Sequence, residues 1–267
     1  MKITRFHDEY GQVRTGIDLG DGTADLLHNP DPLHATPQAT GHTARIERRL
    51  APVEPVNIFC IGLNYRQHAE ETGAPLPDHP VVFMKPITAA HDPDRPILIP
   101  RCCERGDEVD YEVELAVVIG AAGRDIPESR ALEHVFGYTV AHDVSARRWQ
   151  KHAGGGQWIR GKSFDTFCPL GPVLVTADDI PDPQELTLTT RVNGETMQNS
   201  FTGDMIFTVA QLIEFLSMDT TLLPGTVILT GTPEGVGVAR KPQVFLKSGD
   251  SVTCAINRIG ELTNPVE

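Results

Sequence analysis

Nothing in the 267 residues approaches the roughly 18 uninterrupted apolar side chains that a membrane-spanning helix needs. The opening MKITRFHDEYGQV lacks the apolar core of a leader peptide, so neither secretion nor membrane insertion is expected. Positive charge is scarce. Against 36 Asp and Glu stand 23 Lys and Arg, and the formal net charge of −13 repels nucleic acid and acidic lipid. The five cysteines (Cys60, Cys102, Cys103, Cys168 and Cys254) are odd in number and form no C-x-x-C pair. This excludes a disulfide framework or a zinc clamp and fits a reduced, cytoplasmic chain with buried thiols. No G-x-G-x-x-G, G-x-S-x-G elbow or H-E-x-x-H is present either, which removes dinucleotide enzymes, serine hydrolases and zincins.

What the sequence does have is Gly and Pro, 24 and 21 residues, together above the usual share of roughly 12%. Both break element interiors, so many short strands and few helices are expected. Residues 1–50 read as a small N-terminal β-rich domain with a linker, and pattern density rises over 51–267. There Val56–Gly62, Val81–Met84, Tyr111–Gly120, Val135–Ala141, Leu186–Val192 and Val227–Thr230 read as strands, with a hairpin signal at Asn193-Gly194. One amphipathic helix starts at Thr208, where Thr208-x-x-Gln211 forms a capping box. A mainly β or α+β core that curls on itself follows.

Glu112 and Glu114 lie two apart on the best strand, so they share a face with Cα atoms about 6.5 to 7 Å apart. Two carboxylates on a largely buried face repel each other unless a cation lies between them. Asp143, just past a second strand, offers a third oxygen ligand, and an all-carboxylate set suits a hard ion: magnesium (Mg2+) first, Mn2+ or Ca2+ behind it. A solvated acid pair bridged to arginines is the alternative, and spacing alone leaves it open. His68 and Glu71 share one face of a helical turn, an arrangement that raises imidazole basicity and orients the ring, although a solvated surface pair has the same spacing. Lys162 leaves a loop that follows Gly154-Gly155-Gly156 and could polarise a carbonyl.

Together, Ile61-Gly62-Leu63-Asn64-Tyr65 with His68, Phe83-Met84-Lys85-Pro86, Glu112-Val113-Glu114-Leu115, Asp143-Val144-Ser145-Ala146-Arg147 with Gln150, Gly161-Lys162-Ser163-Phe164-Asp165 and Leu229-Thr230-Gly231-Thr232-Pro233 resemble the fumarylacetoacetate hydrolase family. The subgroup is that of acylpyruvate hydrolases and 2-hydroxyhepta-2,4-diene-1,7-dioate isomerases. The resemblance runs from about Pro55 to the C-terminus. It implies a β-roll or mixed-sheet barrel with a few short helices, assembled as a homodimer. It implies that Glu112, Glu114 and Asp143 ligate Mg2+ or Mn2+, that Arg147, Gln150 and Thr230 hold substrate near Lys162, and that His68 and Glu71 form a catalytic dyad on a lid. The implied substrate is a small 2-oxo acid. The expected reaction is hydrolysis of a C–C bond in a 2,4-dioxo acid of the acylpyruvate type, its developing enolate stabilised by the metal. The alternative is isomerisation or decarboxylation of a 2-oxo dioic acid in aromatic-acid catabolism.

Overall fold

The computed structural model describes residues 1–104, 106 and 108–267. Five strands precede the denser part of the chain: β1 (Lys2–His7), β2 (Val13–Asp18), β3 (Thr23–Leu27), β4 (Ala39–Arg45) and β5 (Arg48–Leu50). Then come β6 (Asn57–Gly62), helix α1 (Arg66–Thr72), β7 (Val81–Lys85), β8 (Ala90–His91), β9 (Val109–Asp110), β10 (Val113–Ile119), β11 (Val135–His142) and β12 (Ser145–Ala146). The rest are α2 (Ile159–Lys162), β13 (Cys168–Thr176), β14 (Thr187–Val192), β15 (Glu195–Phe201), α3 (Val209–Ser217), β16 (Thr226–Leu229), β17 (Ser251–Ile256) and β18 (Gly260–Pro265).

Among the described residues the main sheet follows the order β4-β3-β2-β1-β13-β11-β10-β16-β6-β7, with β5 on β1 and β8 on β13. It is mixed: β16 pairs with β6 in parallel and β10 pairs antiparallel with β11. The expected strand-rich α+β architecture is the one observed. The sheet runs as an open path from β4 to β7 rather than as a closed barrel. A second sheet, β15-β14-β17-β18, supplies the other wall of the larger apolar core, where Leu115, Val117 and Ile119 of β10 meet Leu188, Cys254 and Leu262. The N-terminal strands extend the main sheet through β1, whose Lys2 and Ile3 pair with Val175 and Leu174.

Local signals behave as their chemistry requires. Asn193 and Gly194, with φ of 51° and 84°, make the tight turn between β14 and β15, since both central residues of such a turn need positive φ. Thr208 caps α3 with both halves of the box formed, and Val209, Leu212, Ile213 and Leu216 are buried. Each such side chain stabilises by about 1.5 to 3 kcal/mol. One boundary differs from expectation. β10 begins at Val113, so Tyr111 and Glu112 precede the strand, because Val113 N–H donates to the Gln198 side chain at 3.0 Å rather than to a ladder partner. The antiparallel register of Val113 with His142 still sets the start of β10 against the end of β11. That register brings Glu112 and Glu114 to Asp143.

Candidate active site and metal centre

Glu112, Glu114 and Asp143 are all buried, and one oxygen of each lies within 4.8 Å of the others. The neighbouring cations divide them. Lys162 Nζ donates to Glu112 Oε2 and to Asp143 Oδ2, both at 2.6 Å, while Arg147 Nη2 pairs with Glu112 Oε1 at 2.7 Å. Burial alone would raise the Glu112 carboxyl, but Lys162 and Arg147 outweigh it and hold Glu112 well below the carboxylate range. Glu114 moves the other way. Burial, Asp143 and Glu112 push it well up; its Oε2 accepts from Gly231 N–H at 2.7 Å and it has no ion pair among the described residues. Three converging carboxylates with one left uncompensated fit a divalent cation with oxygen ligands.

The lysine and arginine are as buried as the acids. Removal from water disfavours the Lys162 ammonium, but Asp143 and Glu112 overcome this and raise its pKa. Arg147 is likewise raised by Asp110 and Glu112 against the cost of its burial. Its Nε donates to Asp110 Oδ2 at 2.7 Å and its Nη1 to Gln150 Oε1 at 3.0 Å, so the guanidinium is held from three sides. Gln150 sits on a single wide turn of π type, Trp149–Ala153. α2 packs directly on that turn: a Cβ on Gly161 would lie 2.3 Å from Gln150 N, so only glycine lets Lys162 come this close.

A cavity of about 210 Å³ opens over these groups. Glu112, Glu114, Asp143, Arg147, Gln150 and Lys162 form its polar side; Ile61, Leu63, Phe83, Trp158 and Val238 form its apolar side. His68 also reaches it, from α1. His68 Nδ1 lies 3.3 Å from Glu71 Oε2, and Gly235 N–H donates to both Glu71 oxygens at 3.0 and 3.1 Å, so the pair is clipped to the loop beyond β16. Eight of the nine residues singled out from the sequence therefore gather in or at this pocket. Thr230 does not line it. Its hydroxyl donates to Leu115 O at 2.9 Å and its carbonyl accepts from Asn64 Nδ2 at 2.7 Å, because a residue leaving β16 still faces the strand beside it. Thr232, two residues on, reaches the cavity instead.

The sequence reading missed one brace and left the role of another open. Asp110 accepts from Gly237 N–H at 2.7 Å, Val238 N–H at 2.9 Å and Arg147 Nε, tying the arginine to the cavity wall. Its signal was present, since Asp110 precedes Glu112 by the same spacing of two. Lys85 is the other. Fully buried, it donates to the carbonyls of Val144, Lys162 and Phe167 at 2.7 to 3.1 Å and pairs with Asp143 Oδ1 at 2.6 Å.

The family profile described as fumarylacetoacetate (FAA) hydrolase C-terminal matches residues 57–267, the span that contains every group just described. The chain belongs to the fumarylacetoacetate hydrolase family. Within that family, 218 residues are 54% identical to a mitochondrial oxaloacetate tautomerase of Xenopus laevis, covering 81% of this chain and 67% of that protein. The human mitochondrial oxaloacetate tautomerase FAHD2A is 50% identical over the same length, with 81% and 68% covered. Among solved structures, a 2-hydroxyhepta-2,4-diene-1,7-dioate isomerase from Mycobacterium marinum is 38% identical with a TM-score of 0.83, covering 100% of this chain and 98% of that one. A fumarylpyruvate hydrolase from Pseudomonas aeruginosa, in complex with Mn2+ and pyruvate, is 34% identical with a TM-score of 0.71, covering 82% and 91%. The two tautomerases are named as mitochondrial proteins, whereas composition alone suggested a reduced, cytoplasmic setting for this chain. No described helix is long and apolar enough to cross a membrane.

Proposed function

We propose that this family member interconverts the enol and keto forms of a small 2-oxo dioic acid of the oxaloacetate class, with a divalent cation held by Glu112, Glu114 and Asp143. One observation carries the reading: three buried carboxylates converge within 4.8 Å of one another beside Lys162 and Arg147, in a chain 54% identical over 218 residues to an oxaloacetate tautomerase. When bound, the cation supplies a Lewis acid for the carboxylate and 2-oxygen of the substrate. Magnesium is the first candidate and Mn2+ the second.

The reaction moves one proton from the 2-hydroxyl of the enol to C3, or the reverse, with no net change of atoms. Lys162, held on Glu112 and Asp143 at the cavity, would supply a fixed positive charge to the developing negative oxygen, and a preformed donor of this kind stabilises charge without reorganising. His68 is the group for proton transfer. With Glu71 accepting at Nδ1, the ring keeps Nε2 free to take up and return a proton. Arg147 and Gln150 orient the carboxylate end of the substrate. The apolar wall excludes water, which keeps these charges effective and suppresses side reactions.

A second reading is C–C hydrolysis of a 2,4-dioxo acid, favoured by the likeness to a fumarylpyruvate hydrolase and by a His–Glu pair able to activate water. Product analysis separates the reactions. Loss of enol absorbance with oxaloacetate as the sole product supports tautomerisation, pyruvate plus a carboxylic acid from an acylpyruvate supports hydrolysis, and release of CO₂ indicates decarboxylation. A homodimer remains the proposed assembly, with sedimentation velocity as its test.

A further inference from the structure

Trp158 carries no charge or proton in the chemistry above, yet its half-buried ring is closely placed. It stands immediately before α2, one helical turn ahead of Lys162, so the two side chains project from the same face. Both meet Phe83. The Lys162 ammonium lies 5.1 Å from the centroid of that ring, and the Trp158 indole meets it edge-on, centroids 5.8 Å apart at 63°. The indole is also pressed onto Gly62: a Cβ there would fall 2.1 Å from Trp158 Cζ3. Gly62 therefore provides a notch for the ring. A rigid indole seated on strand backbone and against a second aromatic ring cannot give way to a bulkier ligand without losing both contacts.

We propose that Trp158 is the specificity-determining residue of this pocket: its indole, seated in the Gly62 notch and against Phe83, closes the apolar side of the cavity and limits the chain beyond C3 of the 2-oxo acid to a short one. The proposal rests on the reading that the pocket takes a 2-oxo acid. A cavity of about 210 Å³ suits such a short molecule, and one methylene too many in a close-fitting pocket changes discrimination by about 10- to 200-fold.

The test measures binding and not turnover. Calorimetry with Mg2+ present gives dissociation constants for saturated 2-oxo acids of three to six carbons with the wild type, Trp158→Ala and Trp158→Phe. The wild type is expected to bind the longest acid at least about tenfold more weakly than the shortest. Trp158→Ala is expected to shrink or reverse that ratio, and Trp158→Phe, which keeps a ring against Phe83, to fall between. Trp149 and Trp158 are the two tryptophans in the chain, so in Trp149→Phe the emission reports Trp158, and a four-carbon 2-oxo acid with Mg2+ should shift it. The same chain-length profile in wild type and variants, or calorimetric binding of the four-carbon acid without a shift in emission, overturns the proposal and leaves the 2-oxo acid reading standing. Failure of the wild type to bind any of these acids with Mg2+ present overturns that reading and the proposal together.

Discussion

Lys85 Nζ donates to the backbone carbonyl of Lys162 at 2.7 Å, so the ammonium of one lysine fixes the backbone of the other. The two also hold Asp143 between them, Lys85 at Oδ1 and Lys162 at Oδ2, each at 2.6 Å. A motif lysine whose residue type is as open to a structural as to a substrate-binding role is thus a brace under Lys162.

Lys85→Met removes the donor to three buried carbonyls and leaves Asp143 Oδ1 without its cation. Breaking a buried ion pair from one side costs about 3 to 5 kcal/mol, so thermal melting should show a large loss of stability. Activity should fall even where the variant folds, because the backbone under Lys162 is released. An unchanged melting temperature would contradict the role of Lys85.

Lys162→Ala should lower kcat by about 10² to 10³, the usual effect of removing one preorganised donor to a developing oxyanion. Metal binding, followed by calorimetry, should persist, since none of the three carboxylates is altered. Activity within a few-fold of wild type would remove Lys162 from the chemistry.

His68→Ala distinguishes the two reactions. Hydrolysis needs an activated water and should disappear, while tautomerisation should fall by the roughly 10² to 10⁴ that a positioned proton-transfer group contributes. Metal affinity should be unchanged in both cases. Full activity in this variant would exclude the His68–Glu71 pair from either mechanism.

Burial pushes the Cys168 and Cys254 thiols up to about 12 from an ordinary 9.0, and Cys60 well above that ordinary value. These three should resist a thiol reagent at pH 8 in the native state, whereas all five cysteines react in denaturant. A raised thiol pKa contributes stability that is fully present below pH 9 and lost as pH climbs towards 12, as the unfolded chain ionises first. Cys254→Ala, compared with the wild type by denaturant titration across that window, should flatten the alkaline decline. Rapid labelling of three or more native thiols would contradict the burial.

Much of this site was legible because strand parity and motif spacing carry it. Glu112 and Glu114 share a face, and the strand ending at His142 delivers Asp143. The capping box at Thr208 and the Asn193-Gly194 turn were equally readable, being local chemistry. What was not legible is long-range. Thr230 and Thr232 differ only in which side of the chain faces the cavity, and the departure of the chain from β16 decides that. Lys85 became a brace through carbonyls at positions 144, 162 and 167, which no spacing encodes. The Gly62–Trp158 contact spans nearly a hundred residues of sequence and depends on how α2 settles beside β7.

The central claim is that Glu112, Glu114 and Asp143 bind a divalent cation required for turnover of a 2-oxo acid at this pocket. The most direct measurement follows decay of the enol absorbance of oxaloacetate with the wild type and Glu114→Gln, after EDTA treatment and again after adding Mg2+ or Mn2+. The account predicts that chelation abolishes the acceleration, that added metal restores it in the wild type, and that Glu114→Gln needs at least about tenfold more metal or stays inactive. Acceleration that persists at full rate in EDTA, or in Glu114→Gln without added metal, would contradict it.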